Sequence, residues 1–147
     1  MKGANIAQMI NVLQAMIMTD GPKMVLTPTY HVFDMYQAFM GATAYTATTD
    51  GPDYAAGLPM VDVMAARGKD GKLHLSLVNT DPAKPAHLVT NLTGTARGRI
   101  LTGPAMDSHN SFEAPNAVHP VAFSGITDGG KLAFDLPPRS VAVVALD

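Results

Sequence analysis

Residues 60–79 read MVDVMAARGKDGKLHLSLVN, two apolar-rich runs joined by Lys69-Asp70-Gly71-Lys72. Asp-Gly tolerates the positive φ that a tight turn demands, so the stretch predicts a β-hairpin with strands at 60–66 and 73–79. Leu73, Leu75 and Leu77 alternate with His74, Ser76 and Val78, which turns one face of the second strand inward and the other outward. A second hairpin turn is expected at Thr127-Asp128-Gly129-Gly130, with further strands at 87–92, 98–102, 121–124, 131–135 and 140–146. Asp81-Pro82 and Pro137-Pro138 end strands, because proline has no N–H to give to a ladder. Such punctuation recurs about every eight to twelve residues beyond Gly41, the spacing of an all-β sandwich or barrel.

The first forty residues differ in composition. They hold seven of the ten methionines, two of the eleven prolines and only four charges, Lys2, Asp20, Lys23 and Asp34. Residues 10–19, INVLQAMIMT, form a nearly continuous apolar run that periodicity alone assigns to neither a buried strand nor a buried helix. Asp20-Gly21-Pro22 ends it with a turn. Residues 29–39 carry Tyr30, Val32, Phe33, Met35, Tyr36 and Phe39 at helical spacing behind Thr27-Pro28-Thr29, which predicts an amphipathic helix. If residues 10–19 are a strand, the pair is one strand-helix unit of an α/β fold. Two regions are therefore expected, 1–40 and 41–147.

With 147 residues and 15.4 kDa, the chain has room for one domain, or one small domain and part of another. Ten basic against twelve acidic residues give a net charge of −2 without a basic block, so no nucleic-acid partner is expected. There is no cysteine, hence no disulfide, thiolate nucleophile or sulfur-ligated zinc. Asn5, Gln8, Asn11 and Gln14 interrupt the first apolar stretch every third residue, unlike a signal peptide or membrane span. No membrane partner is expected, and a cytoplasmic location is favoured, with an exported parent still open. The opening, core-like and without a polar lead-in, reads as the interior of a longer gene.

The twelve acids are eleven aspartates and a single glutamate, Glu113. Glycosidase chemistry needs two carboxyl groups about 5–10 Å apart, one an acid and the other a nucleophile or base. Asp20, Asp50, Asp53, Asp70, Asp81 and Asp128 all lie in turn signals beside Gly or Pro, where a solvated structural acid is the plainer reading. The five histidines show no H-x-x-x-H pair, so no metal site is expected. Asp107-Ser108-His109-Asn110 concentrates polar groups in the long segment 103–120. Adjacent residues of one loop rarely converge as a triad, and bonding to the loop's own backbone is the favoured reading. No G-x-G-x-x-G or other cradle for a nucleotide cofactor is present, and no cofactor is expected.

Residues 4–36, ANIAQMINVLQAMIMTDGPKMVLTPTYHVFDMY, resemble the end of the catalytic barrel in α-L-arabinofuranosidases of glycoside hydrolase family 51. SLVNTDP (76–82), DSHNSFEAPNAVHP (107–120) and LPPRSVAVVAL (136–146) resemble that family's C-terminal β-sandwich. The resemblance implies a mainly β fold, an antiparallel β-sandwich preceded by a strand-helix remnant of a (β/α)8 barrel. Residues 10–19 would be the eighth barrel strand and 29–39 its helix. It also implies a retaining glycosidase acting on arabinans, arabinoxylans and arabino-oligosaccharides, whose two catalytic glutamates lie on earlier barrel strands. Glu113 falls in a sandwich motif and receives no catalytic role, so the chain is expected to be inactive alone.

Gln14, in the segment matching strand eight, is the one candidate substrate contact; its amide would bond ring oxygen or hydroxyls, or else be a core amide satisfied by backbone. The parent is expected to be a homo-oligomer. The competing readings are an autonomous carbohydrate-binding sandwich and a structural module. The first is disfavoured because Trp is absent and only Tyr45, Tyr54, Phe112, Phe123 and Phe134 supply aromatic rings beyond Gly41.

Overall fold

The computed structural model describes residues 8–13 and 15–147. Its first regular element is a hairpin of β1 (Ile17–Asp20) and β2 (Lys23–Leu26), paired antiparallel. The single strand expected over residues 10–19 is therefore corrected to its last few residues. Asn11 is the physical reason. It adopts φ 53°, the left-handed region that Asn tolerates better than most residues, and its side chain bonds back to Thr19. The Thr19 N–H donates to Asn11 Oδ1 at 2.7 Å, folding residues 9–11 beside β1 instead of extending it. Gly21, at φ 54°, closes the hairpin where the sequence places a turn.

Thr27 caps α1 (Pro28–Met35), accepting from the Tyr30 N–H while its hydroxyl donates to the Ala15 carbonyl at 2.8 Å. Pro28 fits the first turn, where its missing N–H costs nothing. A 3-10 turn, Tyr36–Phe39, continues the helix to the length expected from the sequence, and Gly41 at φ 70° releases the chain.

The remainder forms β3 (Thr43–Tyr45), β4 (Asp53–Ala55), β5 (Leu58–Pro59), β6 (Val61–Arg67), β7 (Leu73–Asn79), β8 (Ala86–Val89), β9 (Ala96–Leu101), β10 (Val121–Ser124), β11 (Ile126–Asp128), β12 (Lys131–Leu136) and β13 (Ser140–Leu146). Two antiparallel sheets result, ordered β10-β9-β13-β7-β6-β3 and β11-β12-β8, with β4-β5 as a separate hairpin. Leu75 and Leu77 of β7, Ile100 of β9, Leu132, Phe134 and Leu136 of β12, and Ala142 and Val144 of β13 fill the space between them. Phe134 and Leu136 are 0% exposed, each contributing about 2–3 kcal/mol through apolar burial. Gly98 lets β9 approach β13, since a Cβ there would run into the Val143 carbonyl.

The other face of the larger sheet is not solvated, and the expected outward face of β7 is corrected accordingly. Met35 of α1 is buried among Leu101, Val118 and Val143, with Val32, Tyr36 and Phe39 packed around them. The Tyr36 and Ser76 hydroxyls meet at 2.5 Å, and the Phe39 ring stands edge-on to His74 at 6.2 Å. Ser76 and His74 are consequently buried, His74 bonding both carboxylate oxygens of Asp70 at 3.0 Å. The architecture is thus three-layered: small sheet, large sheet, helix. No helix among the described residues is long and apolar enough to cross a membrane.

Candidate functional site

Segment 103–120 is organised from within by Asn110, which is 1% exposed. Its Nδ2 donates to the carbonyls of Leu26 and Val118, both at 2.8 Å, and its Oδ1 accepts from the Val118 N–H at 2.7 Å. One amide thereby satisfies three backbone groups that have no ladder partner and fastens the loop to the end of β2. Ser111 Oγ accepts from the N–H groups of Glu113 and Ala114. His109 Nδ1 donates to the Asp107 carbonyl and Ser108 Oγ accepts from the Ala105 N–H, so no Ser-His-Asp relay forms. Glu113 is exposed, with neither a carboxylate nor a cation bonded to it among the described residues.

A second hub joins the strand-breaking motifs. Asn79, at 1% exposure, donates to the carbonyls of Lys84, Leu136 and Pro137 and accepts from the Asp81 N–H. Asp81 accepts from the N–H groups of Ala83 and Lys84, which together hold its carboxyl below the ordinary value. Arg139, at φ 47°, donates from its backbone N–H to the Asp81 carbonyl and from its guanidinium to the carbonyls of Pro82, Gly103 and Pro104. SLVNTDP, the start of segment 103–120 and LPPRSVAVVAL therefore converge on one node. Sequence reasoning anticipated the backbone bonding of residues 107–110, and at the second node it marked the prolines but missed Asn79 and Arg139; an Asn closing a strand just before Asp-Pro was the available signal.

A groove of about 620 Å³ opens between β6 and β7 on one side and the segment from Leu88 to Leu92 on the other. Its floor is apolar, Val63, Leu75, Leu77 and Leu88, and Tyr45, Thr49 and Asp50 stand on its rim. No cluster able to hold a metal ion occurs among the described residues. His31 Nε2 is buried without a partner, and burial pushes its pKa down, opposed by the nearby Asp34 carboxylate. The predicted substrate contact, Gln14, lies outside the described residues.

These hubs fix loop and strand ends through buried amides and one guanidinium. The profile of the alpha-L-arabinofuranosidase C-terminal domain matches residues 1–140. The chain belongs to this family. An intracellular exo-alpha-L-arabinofuranosidase of Bacteroides ovatus is 39% identical over 99% of this arabinofuranosidase C-terminal domain, which spans 30% of that enzyme. The crystal structure of the GH51 arabinofuranosidase from Xanthomonas axonopodis pv. citri superimposes with a TM-score of 0.89 at 40% identity, over 97% of the chain and 31% of its own length. An alpha-L-arabinofuranosidase from Thermotoga maritima in complex with arabinose shares the fold, with a TM-score of 0.79 at 23% identity, over 95% of the chain and 33% of its own length. The chain thus spans about a third of the relatives it matches, and the β-sandwich expected from its motifs is the fold it adopts.

Proposed function

We propose that the chain acts as the C-terminal part of a retaining α-L-arabinofuranosidase that removes terminal arabinofuranosyl groups from arabinans, arabinoxylans and arabino-oligosaccharides. Identity of 39–40% to arabinofuranosidases over essentially the whole chain carries this reading. In it, residues 1–40 complete the catalytic barrel, Gln14 touches the sugar, and residues 41–147 brace the barrel and supply subunit contacts of a homo-oligomer. Both catalytic glutamates lie outside these residues. The composition supports that division of labour: a retaining centre needs two carboxyl groups, and the lone Glu113 is exposed and unpaired with another acid. The apolar side chains of Met9, Ile10, Leu13 and Met24, exposed around the first hairpin, support a covering partner at this end.

Hydrolysis of 4-nitrophenyl α-L-arabinofuranoside tests it. The purified chain should release no nitrophenol, and the same residues fused behind a barrel bearing two glutamates should. Turnover by the chain alone at rates of an intact arabinofuranosidase would overturn the reading. Millimolar or tighter binding of arabino-oligosaccharides by the chain alone would instead favour a carbohydrate-binding module.

A further inference from the structure

His87 lies on β8 directly opposite Asp135 of β12 in the strand register. Its two ring nitrogens meet two different carboxylates: Nδ1 is 2.6 Å from Asp135 Oδ1, and Nε2 is 3.0 Å from Asp128 Oδ2 on β11. One side chain therefore reaches all three strands of the small sheet. The middle strand is closed over beside it, where Ala133, between Val89 and Ile126 in the register, is 0% exposed.

The chemistry of the trio is restrictive. An ionised carboxylate only accepts hydrogen bonds, and a neutral imidazole offers one N–H and one lone pair. Only the imidazolium can donate to Asp135 and Asp128 together. The surrounding charges favour that form. Asp50, on the segment facing β8, lines the same groove as His87. Lys131 stands opposite Asp128 in the register, yet among the described residues it forms no ion pair, and His87 is the one cation bonded to either carboxylate.

We propose that His87 is a proton-operated clamp, fastening β8 to β12 and β11 when charged and releasing one of the two carboxylates when neutral. The clamped edge is consequential because β8 also walls the open groove through Leu88 and Val89. The hydrogen bond that His87 donates to Asp135, then the one it donates to Asp128, raises the His87 pKa above the ordinary histidine value, consistent with the geometry. For a raised folded-state pKa, the stabilisation is complete below the unfolded value near 6.5 and disappears as pH climbs through the folded value. The small sheet is thus tightened by acid and loosened by mild alkali.

The test is an NMR titration of the His87 ring in the full 147-residue chain, paired with melting temperatures between pH 5.5 and 9. The midpoint should lie above that of an unperturbed histidine and fall in both Asp128→Asn and Asp135→Asn. His87→Gln should lose the alkaline decline in Tm and the accompanying fall in amide protection factors of residues 86–89. A wild-type His87 midpoint at or below the ordinary value overturns the clamp, as does a His87→Gln protein that keeps the whole alkaline decline. Because all three side chains are surface-exposed, these substitutions leave the apolar core intact.

Discussion

Arg139 donates its Nε–H to the carbonyl oxygen of Gly103 at 2.8 Å, tying the start of the last strand to the beginning of segment 103–120. The same guanidinium reaches the carbonyls of Pro82 and Pro104, so three chain segments hang on one planar fork. Its own backbone is held at φ 47°, a conformation costly for a non-glycine residue and maintained by these anchors. Arg139→Ala should lower stability by about 2–3 kcal/mol, since charge-assisted bonds to carbonyls are lost together. Arg139→Lys should recover little of it, because an ammonium does not reproduce the fork. Urea midpoints of the two variants check this, and an Arg139→Lys protein as stable as the wild type would refute the geometric argument.

Asn110 presents the equivalent case in a buried setting. Truncation to alanine strands the Leu26 and Val118 carbonyls and the Val118 N–H without partners. Each orphaned group costs about 1–3 kcal/mol, so Asn110→Ala should be among the most damaging polar substitutions in the chain. Limited proteolysis should then cut within 103–120 well before the rest of the sandwich; resistance equal to wild type would show that the loop has other anchors.

Acid should weaken the fold through three carboxylates. The His74 ring and then the Lys72 N–H hold Asp70 low, the amides of Ala83 and Lys84 hold Asp81 low, and the Lys72 ammonium holds Asp147 low. A depressed folded pKa contributes stability that is present above the unfolded value, about 3.9, and is lost as pH falls through the folded value. Chemical denaturation at pH 5, 4 and 3 should show a declining midpoint, less steep in Asp81→Asn. A flat profile would count against the assignment.

In an arabinofuranosidase carrying this segment, Gln14→Ala should reduce kcat/KM by about tenfold or more, roughly 1.4 kcal/mol of transition-state stabilisation. Steady-state kinetics on an aryl arabinofuranoside measures it, and an unchanged kcat/KM removes Gln14 from the sugar pocket.

Much of the sandwich was legible because its strands alternate and its turns carry their own chemistry. The predicted strands at 73–79, 121–124 and 140–146 coincide with β7, β10 and β13, and both Gly-bearing hairpin turns fall where expected. Strands β3, β4, β5 and β11 went unpredicted: each is two or three residues long and largely exposed, too short for a period to register. The first hairpin was hidden because Asn11 breaks an otherwise continuous apolar run by a side-chain bond that no periodicity reveals. Ser76 and His74 looked outward-facing for a different reason. What covers them is a helix some forty residues away, a tertiary fact invisible in β7 itself. Of the candidate chemistry, the self-bonded character of residues 107–110 was readable from their types, whereas Asn79 and Arg139 act through partners far along the chain.

The helical lid over the large sheet has a practical corollary for anyone dissecting the molecule. Cutting ahead of Gly41 to isolate the strands would unroof Leu101 and Val143 and leave the Ser76 hydroxyl without its tyrosine. Residues 28–39 therefore have to travel with the strands they shelter, and any push on that helix is delivered straight to β7, β9 and β13.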